Sequence, residues 1–246
     1  MNGRVVAIIP ARFHATRLPG KPLARIAGKP MIAHVCARAS EARRVDAVLV
    51  ATDDARIAEA VDACGGTAVM TRADHPSGTD RLAEVAAALS AEIIVNLQGD
   101  EPLLDPAAVD AAVAPLLDQP DLALCTLRTP LDPADRDNPN VVKVVVDHAG
   151  RALYFSRAAI PYHRAGVTAA PGWRHLGLYV YRRSTLLALA ALSPTPLEVS
   201  EGLEQLRALE HGYHMHTVVV GSASPSVDTP DDLARVRQLM EVSPHA

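Results

Sequence analysis

The 246-residue chain is poor in aromatic residues: Phe, Trp and Tyr together make up 3% of it. A core for a chain of this length must therefore be built from Ala, Val, Leu and Ile. Cysteine is scarce too. Cys36, Cys64 and Cys125 are odd in number, far apart and form no CxxC pair, which argues against zinc-ribbon and thioredoxin-type chemistry. Unpaired thiols suit a reducing cytosol, so a soluble, cytoplasmic protein is expected. Long apolar runs are missing as well. The N-terminal run Val5–Ile9 stops at Pro10, short of a secretory signal, and no stretch approaches the ~20 residues of a membrane span. Nor does one charge dominate. With 24 Lys+Arg against 28 Asp+Glu, a net charge of −4 and no lysine-rich run, the chain is not expected to bind nucleic acid or a membrane surface electrostatically. No two glycines are spaced as GxG, so the dinucleotide-binding fingerprint is excluded. Walker A fails too, because Gly20-Lys21 is followed by Pro22 and position 15 is Ala.

What remains is ample: 49% hydrophobic and 21% charged residues can fill a folded core, which excludes overall disorder. Short apolar runs alternate with amphipathic segments, the pattern of βα units on a parallel sheet. Val5–Ile9, Val48–Ala51, Thr67–Met70 and Ile93–Leu97 read as strands. Helices are expected after Pro30, through Ile57–Val61 with Gly65-Gly66 as the stop, over Thr79–Leu89, and after the Asp105-Pro106 cap. The second half changes character. Leu122–Thr126, Val141–Val146, Ala152–Phe155, His175–Tyr181 and Met215–Val220 read as strands, with Asp147–Gly150 as a hairpin turn. Helices are expected around Leu186–Leu192 and Glu201–Leu209, and a last one opens on Thr229-Pro230-Asp231-Asp232. The expected fold is α/β: one domain over residues 1–246 with a mostly parallel central sheet and a smaller antiparallel lobe. Its parts are a nucleotide-binding core at about 1–130, a lobe at about 131–220, and a returning segment over 221–246.

Three segments carry candidate chemistry. The loop Pro10–Pro22 leaves the carboxyl end of the first strand, where ligands of open α/β sheets bind, and holds Arg12, Arg17 and Lys21. Three cations on a Gly/Pro-punctuated loop form either a polyphosphate clamp or an ordinary solvated basic loop. Gln98-Gly99-Asp100 follows the most apolar strand; a carboxylate after a glycine that admits a ligand suits a Mg²⁺ site, or else Asp100 only braces the turn. Asp228, just before the last helix, is a second metal-ligand candidate or merely a cap. The stretch Arg72–Arg81, with Ser77, Gly78 and Thr79 at a helix start, offers N–H groups to an anion or a base edge, or is a plain capping segment. His175 on a strand, and Glu204 and Gln205 on an amphipathic helix, read by default as structural and solvated. His214 and His216 lack an HExxH motif and a third ligand, which argues against zinc.

Taken together, these segments resemble the 3-deoxy-manno-octulosonate (Kdo) cytidylyltransferases. The likeness spans nearly the whole chain through Ile8–Leu23, Gly28–Ile32, Val50–Asp53, Met70–Glu84, Val95–Pro102, Asn138–Val145, Ala152–Pro161, Arg174–Gly177, Leu203–Arg207 and Val227–Pro230. The resemblance implies a nucleotidyltransferase fold, usually dimeric, that joins CTP to the eight-carbon acid sugar Kdo and releases pyrophosphate, for lipopolysaccharide synthesis. Carried onto this chain, it puts Arg12, Arg17 and Lys21 on the triphosphate. Pro10, Ala11, Thr52, Asp53, Arg72, Ser77, Gly78, Thr79, Gln98 and Gly99 fall around the nucleotide. Asp100 and Asp228 become Mg²⁺ ligands, and Arg12 and Lys21 join them as the catalytic set. Arg157, His175, Tyr179, Glu204 and Gln205 fall to the sugar.

Two features depart from the family pattern. The stretch between Ile160 and His175 is short, and Gly202 is expected to interrupt the helix before Glu204 at a cost of ~1 kcal/mol against Ala. A cytidylyltransferase for a related acid sugar (an eight-carbon amino sugar or sialic acid) is the nearest rival. Ser156-Arg157 and Arg174–Gly177 favour the Kdo form. A non-catalytic nucleotide sensor is a more distant rival, since a mere binder has no need of two acids for a metal. No residue reads as an activated nucleophile, so no covalent enzyme intermediate is expected.

Overall fold

The computed structural model describes residues 4–14, 18–166 and 172–242. The chain divides into two compact units, Met1–Asp110 with Ser224–Ala246, and Ala111–Ala223.

The first unit contains β1 (Val5–Ala11), a small hairpin of β2 (Arg25–Ile26) and β3 (Lys29–Pro30), α1 (Met31–Ser40), β4 (Ala47–Thr52), α2 (Ala55–Asp62), β5 (Ala68–Met70), α3 (Gly78–Ala87) and β6 (Ile93–Asn96). Helix α4 (Pro106–Asp118) contains the point where this unit ends. Strand β1 runs parallel to both β4 and β6, and β5 adds parallel to β4. Val6–Ile9 and Ile93–Val95 have no exposed surface, as continuous apolar runs in a doubly covered parallel sheet require. The helix boundaries have chemical causes. Asp54 accepts from the Arg56 amide and opens α2, and Gly65, at φ 77°, lets the chain turn away after it. Asp105 caps α4 by accepting from the Ala107 amide at 2.9 Å.

Pro10 does not end the first strand, as the sequence suggested. It pairs in register with Ala51, and β1 continues to Ala11. The ladder to β6 stops at Ile8↔Asn96, and Pro10 faces that same side two residues on, so its missing N–H removes no ladder bond. The β2–β3 hairpin was not anticipated, because two-residue strands carry no periodicity. Its turn uses Ala27 and Gly28, both at positive φ (45° and 79°). The C-terminal helix Pro230–Val242 starts at the expected signature, and its Leu233 and Val236 pack with Ile26, Met31 and Val227.

The second unit holds β7 (Leu124–Pro130), β8 (Lys143–Val146), β9 (Ala152–Ser156), β10 (Trp173–Arg182), α5 (Arg183–Ala190), α6 (Pro196–Glu201), α7 (Gln205–Glu210) and β11 (Met215–Val219). Its pairings are mainly antiparallel: β7 with β10, β10 with β8, and β8 with β9; β11 lies parallel to β7. The β8–β9 hairpin turns as expected, with Asp147 accepting from the Ala149 and Arg151 amides at 2.8 Å and Gly150 at φ 78°. The one helix expected over Glu201–Leu209 is two. Gly202 adopts the left-handed conformation (φ 62°) that closes α6, so it sits where glycine is favoured and carries no helix-interior penalty. The fold is thus α/β, with parallel βα units in the first unit and a largely antiparallel second.

Candidate active site

In the first unit the carboxyl ends of β1, β4 and β6 converge. Cβ atoms placed on Gly78 and Gly99 would lie 3.6 Å from Pro10 Cγ and 3.2 Å from Pro10 O. The start of α3 and the loop after β6 therefore both lie against the end of β1, and at Gly99 a Cβ would crowd the Pro10 carbonyl, so glycine eases the approach. Leu97 donates its amide to Ile8 O, which fixes where Gln98 leaves the sheet.

The loop after β1 returns through Gly20, at φ 69°, whose amide donates to Phe13 O at 2.9 Å; a 3-10 turn over Lys21–Leu23 follows. This places Lys21 Nζ 2.6 Å from Asp100 Oδ2 and 3.1 Å from Asp228 Oδ1. Two carboxylates separated by 128 sequence positions thus meet on one ammonium. The Val227 amide donates to Asp100 O at 2.9 Å and staples the two segments together. Val227 itself is fully buried in the apolar cluster under the C-terminal helix, and Asp232 accepts from the Asp228 and Thr229 amides. Asp228 therefore projects from a segment anchored on both sides.

Arg12 leaves the end of β1 with Nη2 buried and without a hydrogen-bond partner, an uncompensated donor that suits an anion. Arg17 lies outside the described residues. Ala11 pairs with Thr52 at the strand ends; Thr52 is buried, and its hydroxyl accepts from the Asp54 amide. Asp53 ion-pairs through Oδ2 with Arg81 Nη2 at 3.3 Å and keeps Oδ1 buried without a partner. Ser77 is engaged as the cap of α3: its hydroxyl accepts from the Asp80 amide at 3.1 Å and donates to the Asp80 carboxylate at 2.6 Å. Gly78 and Thr79 open that helix. Arg72 is exposed, 3.4 Å from Asp74.

In the second unit, His175 on β10 is buried, its ring edge-on to Phe155 (centroids 4.8 Å apart) and tilted against Tyr179 at 5.4 Å. Burial pushes its imidazole down to about 3, so it is neutral at physiological pH. The Thr126 hydroxyl lies 2.9 Å from Nε2 and 2.8 Å from Leu178 O. One hydroxyl proton serves the carbonyl, so Nε2–H donates to Thr126 and Nδ1 is left as the acceptor. The Tyr179 phenol is pushed up by burial, and further by the charges of Tyr181 and Glu204. Gln205 is buried at the start of α7 and Glu204 precedes it. The Arg157 guanidinium donates to the carbonyls of Glu201, Pro139 and Gly202.

A model of the cytidylyltransferase family matches residues 6–217. A 3-deoxy-manno-octulosonate cytidylyltransferase of Solibacter usitatus is 53% identical over 244 residues, covering 99% of this chain and 97% of the relative. The protein of the same name from Syntrophotalea carbinolica is 54% identical over 241 residues, covering 94% and 96%. The chain belongs to the 3-deoxy-manno-octulosonate cytidylyltransferase family. Among solved structures, a CMP:2-keto-3-deoxy-manno-octonic acid synthetase complexed with CTP superposes with a TM-score of 0.94 at 46% identity, covering 98% of this chain and 99% of the other. A cytidylyltransferase of Leptospira borgpetersenii, at 17% identity and a TM-score of 0.67, shares the fold.

Sequence reasoning passed over Arg81 and Glu201. Arg81 has no exposed surface; it donates to the Thr71 hydroxyl as well as pairing with Asp53. The available signal was its spacing of four from Val85, which puts a charge on the buried stripe of α3. Among the described residues no group of three or more His, Cys, Asp or Glu gathers as a metal site. The donor set at Lys21 is two carboxylates. That pair fits Mg²⁺, which commonly takes one or two carboxylates and completes its shell with substrate phosphate and water.

Proposed function

We propose that the chain transfers a cytidylyl group from CTP to Kdo, giving CMP-Kdo and pyrophosphate for lipopolysaccharide synthesis, with Mg²⁺ held by Asp100 and Asp228. The observation that carries this reading is the meeting of Asp100, Asp228 and Lys21 at one point beside the end of β1. The anomeric hydroxyl oxygen of Kdo forms a bond to the α-phosphorus and gives up its proton to solvent, while the bond from that phosphorus to the α–β bridging oxygen breaks and pyrophosphate leaves. Both reactants are anionic, so charge is the obstacle. When bound, Mg²⁺ supplies charge neutralisation on the phosphate oxygens. Arg12, Arg17 and Lys21 hold the triphosphate and favour the leaving pyrophosphate.

Pro10, Ala11, Thr52, Asp53, Arg72, Ser77, Gly78, Thr79, Gln98 and Gly99 surround the nucleotide in this reading. Gly99 supports it by letting the loop that carries Asp100 close against the end of β1. Arg157, His175, Tyr179, Glu204 and Gln205 recognise the sugar, the neutral His175 contributing a hydrogen bond rather than a charge. The enzyme works as a homodimer in the cytoplasm; among the described residues no helix is long and apolar enough to cross a membrane.

Pyrophosphate release with Mg²⁺, pairing each of the four NTPs with Kdo and with sialic acid, tests the reading. Turnover is expected with CTP and Kdo, and a preference for sialic acid refutes the sugar assignment. Asp100→Asn should reduce turnover by about 10²–10³-fold, in the range of losing one electrostatic stabiliser, with its melting temperature close to wild type. Near-normal release by that variant refutes the metal assignment.

A further inference from the structure

Arg157 is held from every direction. Its amide donates to Glu201 Oε2 at 2.9 Å, and its carbonyl accepts from Lys143 Nζ at 2.5 Å. Its Nε donates to Glu201 O at 2.8 Å, Nη1 to Pro139 O at 3.0 Å and Nη2 to Gly202 O at 3.3 Å. A guanidinium has five N–H groups, so these three bonds leave two, one on each terminal nitrogen. Such a pair suits a carboxylate, and the rigidly held fork has little left to lose on binding one.

The group that organises this arrangement is Glu201. Its Oε1 accepts from the Ser156 hydroxyl at 2.6 Å and from the Tyr154 phenol at 3.3 Å, while Oε2 takes the Arg157 amide. Burial draws the carboxyl upward, but the hydrogen bonds from Ser156, Arg157 and Tyr154 outweigh it and keep the group ionised. Lys143, with no exposed surface, fixes the other side by donating to Asn138 O as well as to Arg157 O. The last turn of α6 and the end of β9 are thereby joined through one carboxylate, next to Gly202 and the Glu204-Gln205 pair.

We infer that Glu201 is a positioning residue for acid-sugar recognition, locking Arg157 so that its two remaining N–H groups receive the sugar's C1 carboxylate. This rests on the Kdo reading of the site and gives one of its groups a defined task. Glu201 touches no substrate; it acts through Arg157.

The test compares wild type with Glu201→Ala, Glu201→Gln and Ser156→Ala, using CTP with Kdo and with the C1 carboxamide of Kdo. Glu201→Ala should raise KM for Kdo about tenfold or more, with kcat within about threefold and CTP affinity by calorimetry unchanged. Glu201→Gln can turn its one oxygen to the Arg157 amide and its NH₂ to the Ser156 hydroxyl, so it should recover most of the loss. Ser156→Ala should shift KM for Kdo in the same direction, by a smaller factor; if Glu201→Ala fails to fold, this variant decides. The carboxamide should be used poorly by wild type and should lose little more in the variants, because the carboxylate contact is already gone. Unchanged KM for Kdo in Glu201→Ala, or in Ser156→Ala where Glu201→Ala does not fold, or an equal penalty for the acid and its amide, overturns the inference. Wild-type protein inert toward Kdo with CTP refutes the function reading and this role with it. Normal wild-type turnover with unmoved variants refutes this role alone.

Discussion

Lys21 stands where two acids converge, which sets up a competition that Lys21→Met should expose. Methionine keeps most of the stem's packing and removes the ammonium that lies 2.6 Å from Asp100 and 3.1 Å from Asp228. A divalent ion held by both carboxylates would be repelled by that ammonium. Unit charges about 4 Å apart repel by about 1 kcal/mol at the dielectric constant of water and about 4 kcal/mol at an effective constant of 20; a doubly charged ion doubles either figure. The side chains are 17%, 23% and 41% exposed for Lys21, Asp100 and Asp228, so the lower bound is the safe one. Relief of about 2 kcal/mol corresponds to about thirtyfold tighter binding. Mn²⁺, followed by the loss of the free-ion signal in electron paramagnetic resonance, is the assay, with nucleotide absent. Lys21→Met should bind Mn²⁺ about thirtyfold more tightly than wild type, yet show a raised KM for CTP because a phosphate partner is lost. The two effects have opposite signs, which no general damage to the fold produces. Mn²⁺ binding no tighter than wild type would refute the competition.

Two further outcomes follow from the second unit. His175 is held near a pKa of about 3 by burial, against an ordinary value of about 6.5 when unfolded. The unfolded chain therefore takes up the extra proton between these values, and stability falls as pH drops below about 6.5. Between pH 6.5 and 5.0 this one group should cost about 1.6 kcal/mol, seen in urea unfolding as a pH dependence that His175→Asn flattens; equal slopes in both proteins would contradict the neutral assignment. Gly202→Ala should destabilise by about 1 kcal/mol, purely through the backbone, since φ is 62° and no atom lies within 4 Å of the added Cβ. Gly202→Asn should lose less, and an Ala variant as stable as wild type would show that the left-handed cap is not required.

Much of this architecture was legible because it rests on local chemistry. The buried runs around Ile8 and Ile94, the Asp105-Pro106 cap and the Asp147–Gly150 turn each announce their conformation within a few residues. Pro10 was misread because proline's cost depends on whether its N–H side meets a partner strand, and that is decided by β6, far along the chain. Gly202 was misread for a related reason: whether glycine weakens a helix or closes it depends on whether the helix continues, and α6 ends there. The β2–β3 hairpin left no trace because two residues cannot establish a period.

The site divides along the same line. Single residues such as Lys21 and Asp100 could be nominated from their neighbourhood, at the end of a strand or after a glycine. Their meeting could not, because it depends on where the chain returns after more than a hundred residues. What brings Asp228 back is apolar: Val227, with no exposed surface, is inserted among Ile26, Met31, Leu233 and Val236. The Val227 amide then bonds to Asp100 O, so the residue that supplies the hydrophobic anchor also fixes the spacing of the two carboxylates. That arrangement makes a core residue a determinant of charge geometry. It also explains why a sequence motif of four residues, Val227-Asp228-Thr229-Pro230, carries information its acid alone does not. Val places the segment, Asp supplies the charge, and Thr with Pro starts the helix whose apolar face holds Val in place.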